Sequence, residues 1–145
     1  MFNVLVPCKA CRALNRVSAA HLSATGRCGA CKSVLPPTSE PITGDVANFD
    51  GIVREARVPV LVDFWAPWCS PCRATAPHVE ALAREMAGRA LVLKVNTESV
   101  PELATRFRIL SIPNFMVFHE GRLVTQRAGG LPPEDLRRLL EQAGA

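Results

Sequence analysis

From Val58 to Trp65 the chain is almost unbroken in its hydrophobicity, Val58-Pro59-Val60-Leu61-Val62-Asp63-Phe64-Trp65, and it then passes at once into Ala66-Pro67-Trp68-Cys69-Ser70-Pro71-Cys72. A β-branched apolar run of this kind predicts a strand buried on both faces. Pro71 suits the first turn of a helix, and Val79, Leu82, Ala83 and Met86 follow as one apolar stripe, with Pro77 expected to kink it. Two cysteines two residues apart at a strand-to-helix junction, within a βαβ pattern, have the spacing of a redox pair. The unpaired N–H groups and positive dipole end of the helix favour a thiolate on the first cysteine. Cys69 is therefore expected to be the exposed nucleophile, and Cys72, one turn further in, the more buried thiol that closes a ring with it. Taken alone, such a pair also suits half a metal site or an inert staple.

The pattern around this junction decides between those readings. Before it, a short strand is expected at Pro41-Ile42-Thr43, then a helix with Phe49, Ile52, Val53 and Ala56 inward and Asn48 or Asp45 as cap. From Val58 onward the expected order is βαβαββα. Ala90 to Val95 forms the next buried strand, parallel to the first through a right-handed crossover, and a short helix spans about residues 99 to 107. Asn114 to His119 and Arg122 to Arg127 flank Glu120-Gly121 as a hairpin. A last helix starts at Pro132-Pro133-Glu134-Asp135, with Leu136, Leu139 and Leu140 inward. No internal repeat is evident.

The first forty residues follow different rules. Cys8-Lys9-Ala10-Cys11 and Cys28-Gly29-Ala30-Cys31 are separated by sixteen residues, the spacing of a structural zinc site in which each pair forms one knuckle. A segment this short rarely folds without a metal or disulfides. The net charge of +4 is uneven: Lys9, Arg12, Arg16, Arg27 and Lys32 are unopposed before Glu40, while the remainder has twelve bases against thirteen acids. Four thiolates on one divalent ion carry a charge of −2, which the neighbouring bases would offset. Two disulfides, or a three-cysteine site completed by His21, also fit the residue types, although four cysteines already close the shell and His21 reads better as an exposed loop residue. Nucleic-acid binding would suit the charge, but Phe2 is the segment's one aromatic, so base stacking is poorly supported and no nucleic-acid partner is expected. Val34-Leu35-Pro36-Pro37-Thr38-Ser39-Glu40-Pro41 reads as an extended linker, which places a boundary near residue 40.

With 145 residues, 48% of them hydrophobic and 21% charged, the chain has the totals of a soluble globular protein. No run approaches the roughly 20 apolar residues of a membrane span, and the start lacks a basic n-region and a full-length apolar core of a signal peptide. A cytoplasmic location is the expectation, and in that compartment six cysteines point to metal or redox work.

From about residue 41 to the end the chain resembles the thioredoxin family, at Asp63, Trp65, Trp68-Cys69, Pro71-Cys72, Pro77, Lys94, Ile112-Pro113, Gly121 and Gly129. With the cysteine-rich segment in front, it is similar over its full length to members that carry a zinc-binding module. The resemblance implies an α/β thioredoxin fold, a central mixed sheet flanked by helices, over residues 41 to 145, preceded by a small zinc-ribbon-like module and linker over residues 1 to 40. It implies a protein-disulfide reductase acting through Cys69 and Cys72, disulfide-bonded protein substrates, and an NADPH-dependent thioredoxin reductase that restores the thiols. The chain itself would then carry one structural zinc and no organic cofactor, and is expected to be a monomer without a membrane partner. One departure is Ser70, where the family usually has Gly, in the pair that tunes the redox potential.

Further roles follow from the residues and from the resemblance together. An acid inside an apolar strand loses hydration and titrates closer to neutrality, so Asp63 is a candidate base for Cys72, directly or through one water; a plain hydrogen-bonded structural carboxylate is the other reading. Lys94, on the adjacent expected strand, either restrains that shift or extends to solvent. The resemblance implies a cis Ile112-Pro113 bond against the cysteines, with the Ile112 backbone pairing with substrate; a trans proline opening a strand is the alternative from sequence alone. Trp65, Trp68, Pro113, Gly129 and Gly130 would border a flat docking surface, with a mainly core position as the other reading of Trp65. His78 and His119 have no evident partner. Two other functions remain open at this point: a zinc-dependent docking module with a thioredoxin-like scaffold, and a zinc site that is itself a redox switch.

Overall fold

Residues 1–145 are described by a computed structural model. Nine strands are present: β1 (Asn3–Pro7), β2 (Leu14–Ser18), β3 (Gly26–Arg27), β4 (Val34–Leu35), β5 (Ile42–Thr43), β6 (Val60–Trp65), β7 (Leu91–Asn96), β8 (Asn114–His119) and β9 (Arg122–Ala128). Four helices accompany them: α1 (Phe49–Glu55), α2 (Ser70–Glu85), α3 (Pro101–Arg106) and α4 (Pro133–Gln142). Strands β5 to β9 form one mixed sheet in the order β5-β7-β6-β8-β9, with β5 and β6 parallel to β7 and the β8-β9 hairpin antiparallel.

The run that dominates the sequence becomes β6, the centre of this sheet, and its pleat divides the core. Val60, Val62 and Phe64 point to the side where Phe49, Ile52 and Leu103 of α1 and α3 pack; Leu61 points to the side of Val79, Leu82, Leu136 and Leu140 of α2 and α4. Side chains alternate along a strand, so Asp63 shares the face of Leu61, beneath α2. On the same argument Lys94 shares the face of Val92. Glu120 and Gly121, with φ of 55° and 80°, make the tight β8-β9 turn, whose two left-handed central residues match the twist of the hairpin.

The first forty residues contain a repeat that the sequence reading missed. In each half a cysteine N–H closes a turn, Cys8 onto Ala13 O at 2.9 Å and Cys28 onto Ser33 O at 2.9 Å. Each turn ends in a left-handed cation just after its second cysteine, Arg12 at φ 66° and Lys32 at φ 65°. Hairpins β1-β2 and β3-β4 carry these two knuckles. Strands β3 and β4 are two residues each, too short to show a period, and β1-β2 takes its inward face from contacts with distant residues such as Gly51.

The expected linker also differs. Its first residues, Val34 and Leu35, are β4, and Thr38 N–H donates to Leu22 O at 2.9 Å, so the prolines follow the surface of the protein and do not form a free spacer. The β1-β2 hairpin lies on the sheet's α1 side: Phe2, Val4, Val6 and Val17 pack against the core that includes Ala19, Leu22 and Phe49. The Phe2 N–H is held by both carboxylate oxygens of Glu55, each at 2.9 Å. Gly51 is needed here because a Cβ would occupy the space of the Phe2 ring. A Gly→Ala change inside a helix ordinarily stabilises by roughly 0.5–1 kcal/mol. We expect Gly51→Ala to lower the melting temperature and speed amide exchange over β1, while in a Phe2→Ala background the same change stabilises. A stabilising Gly51→Ala in the wild-type background would show that the ring does not lock the hairpin down.

Candidate active site and metal centre

The end of β6 turns sharply through Ala66, Pro67 and Trp68, with the Cys69 N–H donating to Ala66 O at 3.1 Å. Cys69 has extended backbone, φ −83° and ψ 109°, and is the N-cap of α2. Its sulfur accepts the Cys72 N–H at 3.2 Å, and its carbonyl accepts the Arg73 N–H at 3.1 Å. A helix leaves its first N–H groups without partners, and here a cysteine sulfur takes the place of the usual serine or aspartate oxygen. Cys69 and Cys72 are joined by a disulfide, with Cα atoms 5.2 Å apart.

The expected difference in exposure between the two cysteines is corrected by this geometry. Cys69 is 4% exposed and Cys72 3%. In the oxidised pair the Cys69 sulfur is drawn into the ring and packed among Trp65, Ala66 and Ile112, with the Ile112 carbonyl oxygen 3.7 Å away. The exposed group is the adjacent Trp68, at 64%.

The Ile112-Pro113 bond is cis, as the resemblance implies, and it brings Ile112 against the cysteine pair. Pro113 is buried, and its carbonyl accepts the Gly129 N–H at 2.8 Å, so two loops distant in sequence are joined beside the disulfide. Gly129 has φ +95°, a conformation that only glycine adopts readily. Trp68, Ile112, Pro113 and Gly129 all border the disulfide end of the sheet or are bonded to residues that do.

Asp63 and Lys94 are opposite each other in the β6-β7 register. The Asp63 side chain is buried, at 2% residue exposure, and no protein group donates to its Oδ1. Burial pushes the carboxyl up to about 7, partly offset by the positive charge of Lys94. The Lys94 ammonium lies over the Trp65 ring, 4.8 Å from its centroid, so the lysine neither runs fully to solvent nor forms a contact pair with Asp63.

Two neighbours of the pair escaped the sequence reading. Thr75 is buried, its hydroxyl donating to the carbonyls of Pro71 and Cys72, each at 3.1 Å, and its methyl lies beneath Gly130. Arg73 donates to Pro67 O at 2.8 Å and ties the helix start to the preceding turn. A threonine three residues after Cys72 on a helix was the available signal, but a lone hydroxyl in a helix ordinarily reads as surface.

In the first forty residues, Cys8, Cys11, Cys28 and Cys31 converge, with all four sulfurs within 4.8 Å of one another and the cross-knuckle pairs Cys8–Cys31 and Cys11–Cys28 at 3.7 and 3.6 Å. A tetrahedral ion with metal–sulfur bonds of about 2.3 Å has sulfur–sulfur edges of about 3.8 Å, so the cluster is of the size to hold one. Backbone N–H of Cys31, then the Asn15 amide and the Ala30 N–H, bring the Cys28 thiol down to about 6. Cys31 is lowered by the Ser33 hydroxyl and backbone. Cys11 is pulled down by the Ala13 backbone but pushed up further, to about 12, by the sulfurs of Cys28 and Cys31. Thiols that resist a shared negative charge in this way are relieved by a dication among them. His21 is outside the cluster, exposed and bonded to Ser18 Oγ at 3.1 Å.

Fold and site together define a class: a dithiol–disulfide exchange protein whose cysteine pair caps a helix beside a cis proline. The thioredoxin family model matches residues 40–142, and the chain belongs to the thioredoxin family. It is similar to the M-type chloroplastic thioredoxin of Zea mays, 36% identical over 97% of this chain and 82% of that protein. It is also similar to thioredoxin C-3 of Corynebacterium nephridii, 33% identical over 96% and 94%. Among solved structures it matches a mutant thioredoxin from Halobacterium salinarum, with a TM-score of 0.67 and 28% identity over 72% of this chain and 91% of that one. The protein is thus a thiol–disulfide oxidoreductase, a protein-disulfide reductase in general kind. No helix is long and apolar enough to cross a membrane.

The carboxyl of Asp63 makes stability depend on pH in a definite direction. Its native value of about 7 is above the ordinary aspartate value of about 4. Between these, the unfolded chain releases a proton that the native carboxyl keeps, so stability falls as pH rises through this interval and levels off above about 7. Asp63→Asn should therefore exceed the wild type in stability by on the order of 2–4 kcal/mol near pH 8, and the gap should close toward pH 4. Denaturant melts of the oxidised proteins across this range measure it, and a gap independent of pH would contradict the buried-acid account.

Proposed function

We propose that the chain reduces disulfides of protein substrates in the cytoplasm, using electrons delivered by an NADPH-dependent flavoprotein thioredoxin reductase. The observation that carries the reading is the Cys69–Cys72 disulfide at the start of α2, covered by Ile112. In the reduced protein the Cys69 thiolate attacks one sulfur of a substrate disulfide, forming a mixed disulfide and releasing the other substrate sulfur as a thiolate. Cys72 then attacks the Cys69 sulfur, the second substrate sulfur leaves as a thiolate, and two electrons have passed from the dithiol to the substrate. Thioredoxins are themselves the standard example of a lowered thiol pKa in a Cys-x-x-Cys pair. In this reading Asp63 accepts the Cys72 proton, Lys94 limits the rise of the Asp63 pKa, and the Ile112 backbone pairs with an extended substrate. Trp68, Pro113 and Gly129 shape the docking surface.

Residues 1–40 are assigned as a zinc module and linker, and residues 41–145 as the thioredoxin domain of a monomer. Cys8, Cys11, Cys28 and Cys31 would hold one structural zinc, which when bound would offset half of the four-thiolate charge and fix both knuckles. The exchange chemistry is confined to the third pair.

In a mixture of the protein, a thioredoxin reductase, NADPH and a disulfide-bonded protein, we expect NADPH to be consumed. Cys69→Ser should return the rate to background, and Cys72→Ser should accumulate a mixed disulfide visible by mass. Dithiothreitol in place of the reductase separates an unsuitable electron donor from absent chemistry. NADPH consumption that survives Cys69→Ser would refute the assignment.

For the metal, native mass of the reduced protein should show one zinc, with the thiols of Cys69 and Cys72 alkylated quickly and the other four only after chelation. Four or more fast thiols before chelation would contradict the division of labour.

A further inference from the structure

The chemistry above leaves unused a groove of about 760 Å³ between β1 and the proline-rich segment that follows β4. Every residue from Val4 to Ala10 lines it. Consecutive residues of a strand face opposite ways, so a wall made of all of them is the strand's edge, not one of its faces. The hydrogen bonds Ala19 N–H to Phe2 O and Cys8 N–H to Ala13 O bracket the β1-β2 ladder. With the register Val4↔Val17 and Val6↔Asn15, the even-numbered positions pair inward with β2. The N–H and C=O groups of Asn3 and Leu5, and the C=O of Pro7, are therefore directed to the other edge, where no strand pairs with β1.

The opposite wall does not supply the missing partner. It contains Pro36, Pro37 and Pro41, which have no N–H to donate. Its apolar members include Leu35 and Ile42, and on the strand side Leu5 is 58% exposed. Lys9, Arg12 and Glu40 are the charged residues of the lining, and none of the three is in an ion pair.

We propose that this groove receives an extended, acid-rich segment of a partner protein, which adds a short strand to the free edge of β1 and directs its carboxylates to Lys9 and Arg12. An edge with open donors and acceptors beside an apolar trough is the usual setting for strand addition. Charge selects the occupant. A second copy would bring another set of five bases without an acid before Glu40, and the two would repel. Single-stranded nucleic acid needs aromatic faces, and the segment's one aromatic, Phe2, is packed on Gly51. The contact requires no redox change at Cys69, so it is separable from the reductase reading.

The test is an amide-resolved NMR titration of the full-length, metal-loaded chain with synthetic peptides that alternate Glu with Val, Ile or Leu. Saturable shifts and slowed exchange at the Asn3 and Leu5 amides are expected, with affinity falling about tenfold or more in Lys9→Glu/Arg12→Glu. Those residues adjoin the cysteine cluster, so Glu40→Gln, remote from it in sequence, provides the second variant and should tighten binding. The proposal is overturned if millimolar acidic peptide leaves Asn3 and Leu5 unmoved, or if a Lys-for-Glu peptide binds equally well. It is also overturned if an oligouridylate occupies the groove more tightly, or if the same amides shift with protein concentration alone.

Discussion

The donor–acceptor contact of the Cys72 N–H on the Cys69 sulfur couples the start of α2 to the reactive cysteine. It exists because β6 is buried on both faces and must end abruptly beneath α2, leaving the first N–H groups of the helix to whatever residue enters the turn. Placing a cysteine there satisfies the helix and gives the sulfur a reason to be anionic once reduced, since a thiolate accepts such a bond better than a thiol. Pro71 strengthens the arrangement, having no N–H to compete at the first turn. Fold and reactivity therefore meet in one residue, and a change that shortens β6 or shifts the start of α2 would disturb both.

Asp63 shows the opposite balance. Its burial in the centre of the sheet opposes the charged form, and Lys94, its register partner on β7, recovers only part of the loss because the ammonium is over the Trp65 ring instead of on the carboxylate. A structural carboxylate would be expected to have its oxygens filled with donors, yet Oδ1 has none from the protein. An acid held in this condition costs stability and gains a proton affinity matched to neutral pH, which is what the proposed role of Asp63 as proton acceptor for Cys72 requires.

Much of this was legible in the chain because the informative signals were local and strong. The continuous apolar run, the helical stripe of Val79, Leu82 and Ala83, and the Glu120-Gly121 turn each follow from short-range sterics and burial, and all three elements are present. The four N-terminal cysteines were identified by spacing, and their sulfurs do converge. The failures have a common physical origin in contacts between distant parts of the chain. Cys69 is as buried as Cys72 because Ile112 arrives from 43 residues away. Val34 and Leu35 became a strand because β3 was available, and the hairpin β1-β2 is fixed by Phe2 on Gly51, a contact that neither residue announces. Thr75 was overlooked because its importance lies in what surrounds it, the carbonyls above and Gly130 outside.

The central claim is that the helix start holds the Cys69 sulfur ionised at neutral pH. Its most direct measurement is the ultraviolet thiolate absorbance of the reduced, metal-loaded protein as a function of pH, taken as the difference from Cys69→Ser so that the other cysteines cancel. The account predicts a titration well below the ordinary thiol value of about 8.5. A Cys69 that titrates at or above that value would contradict it.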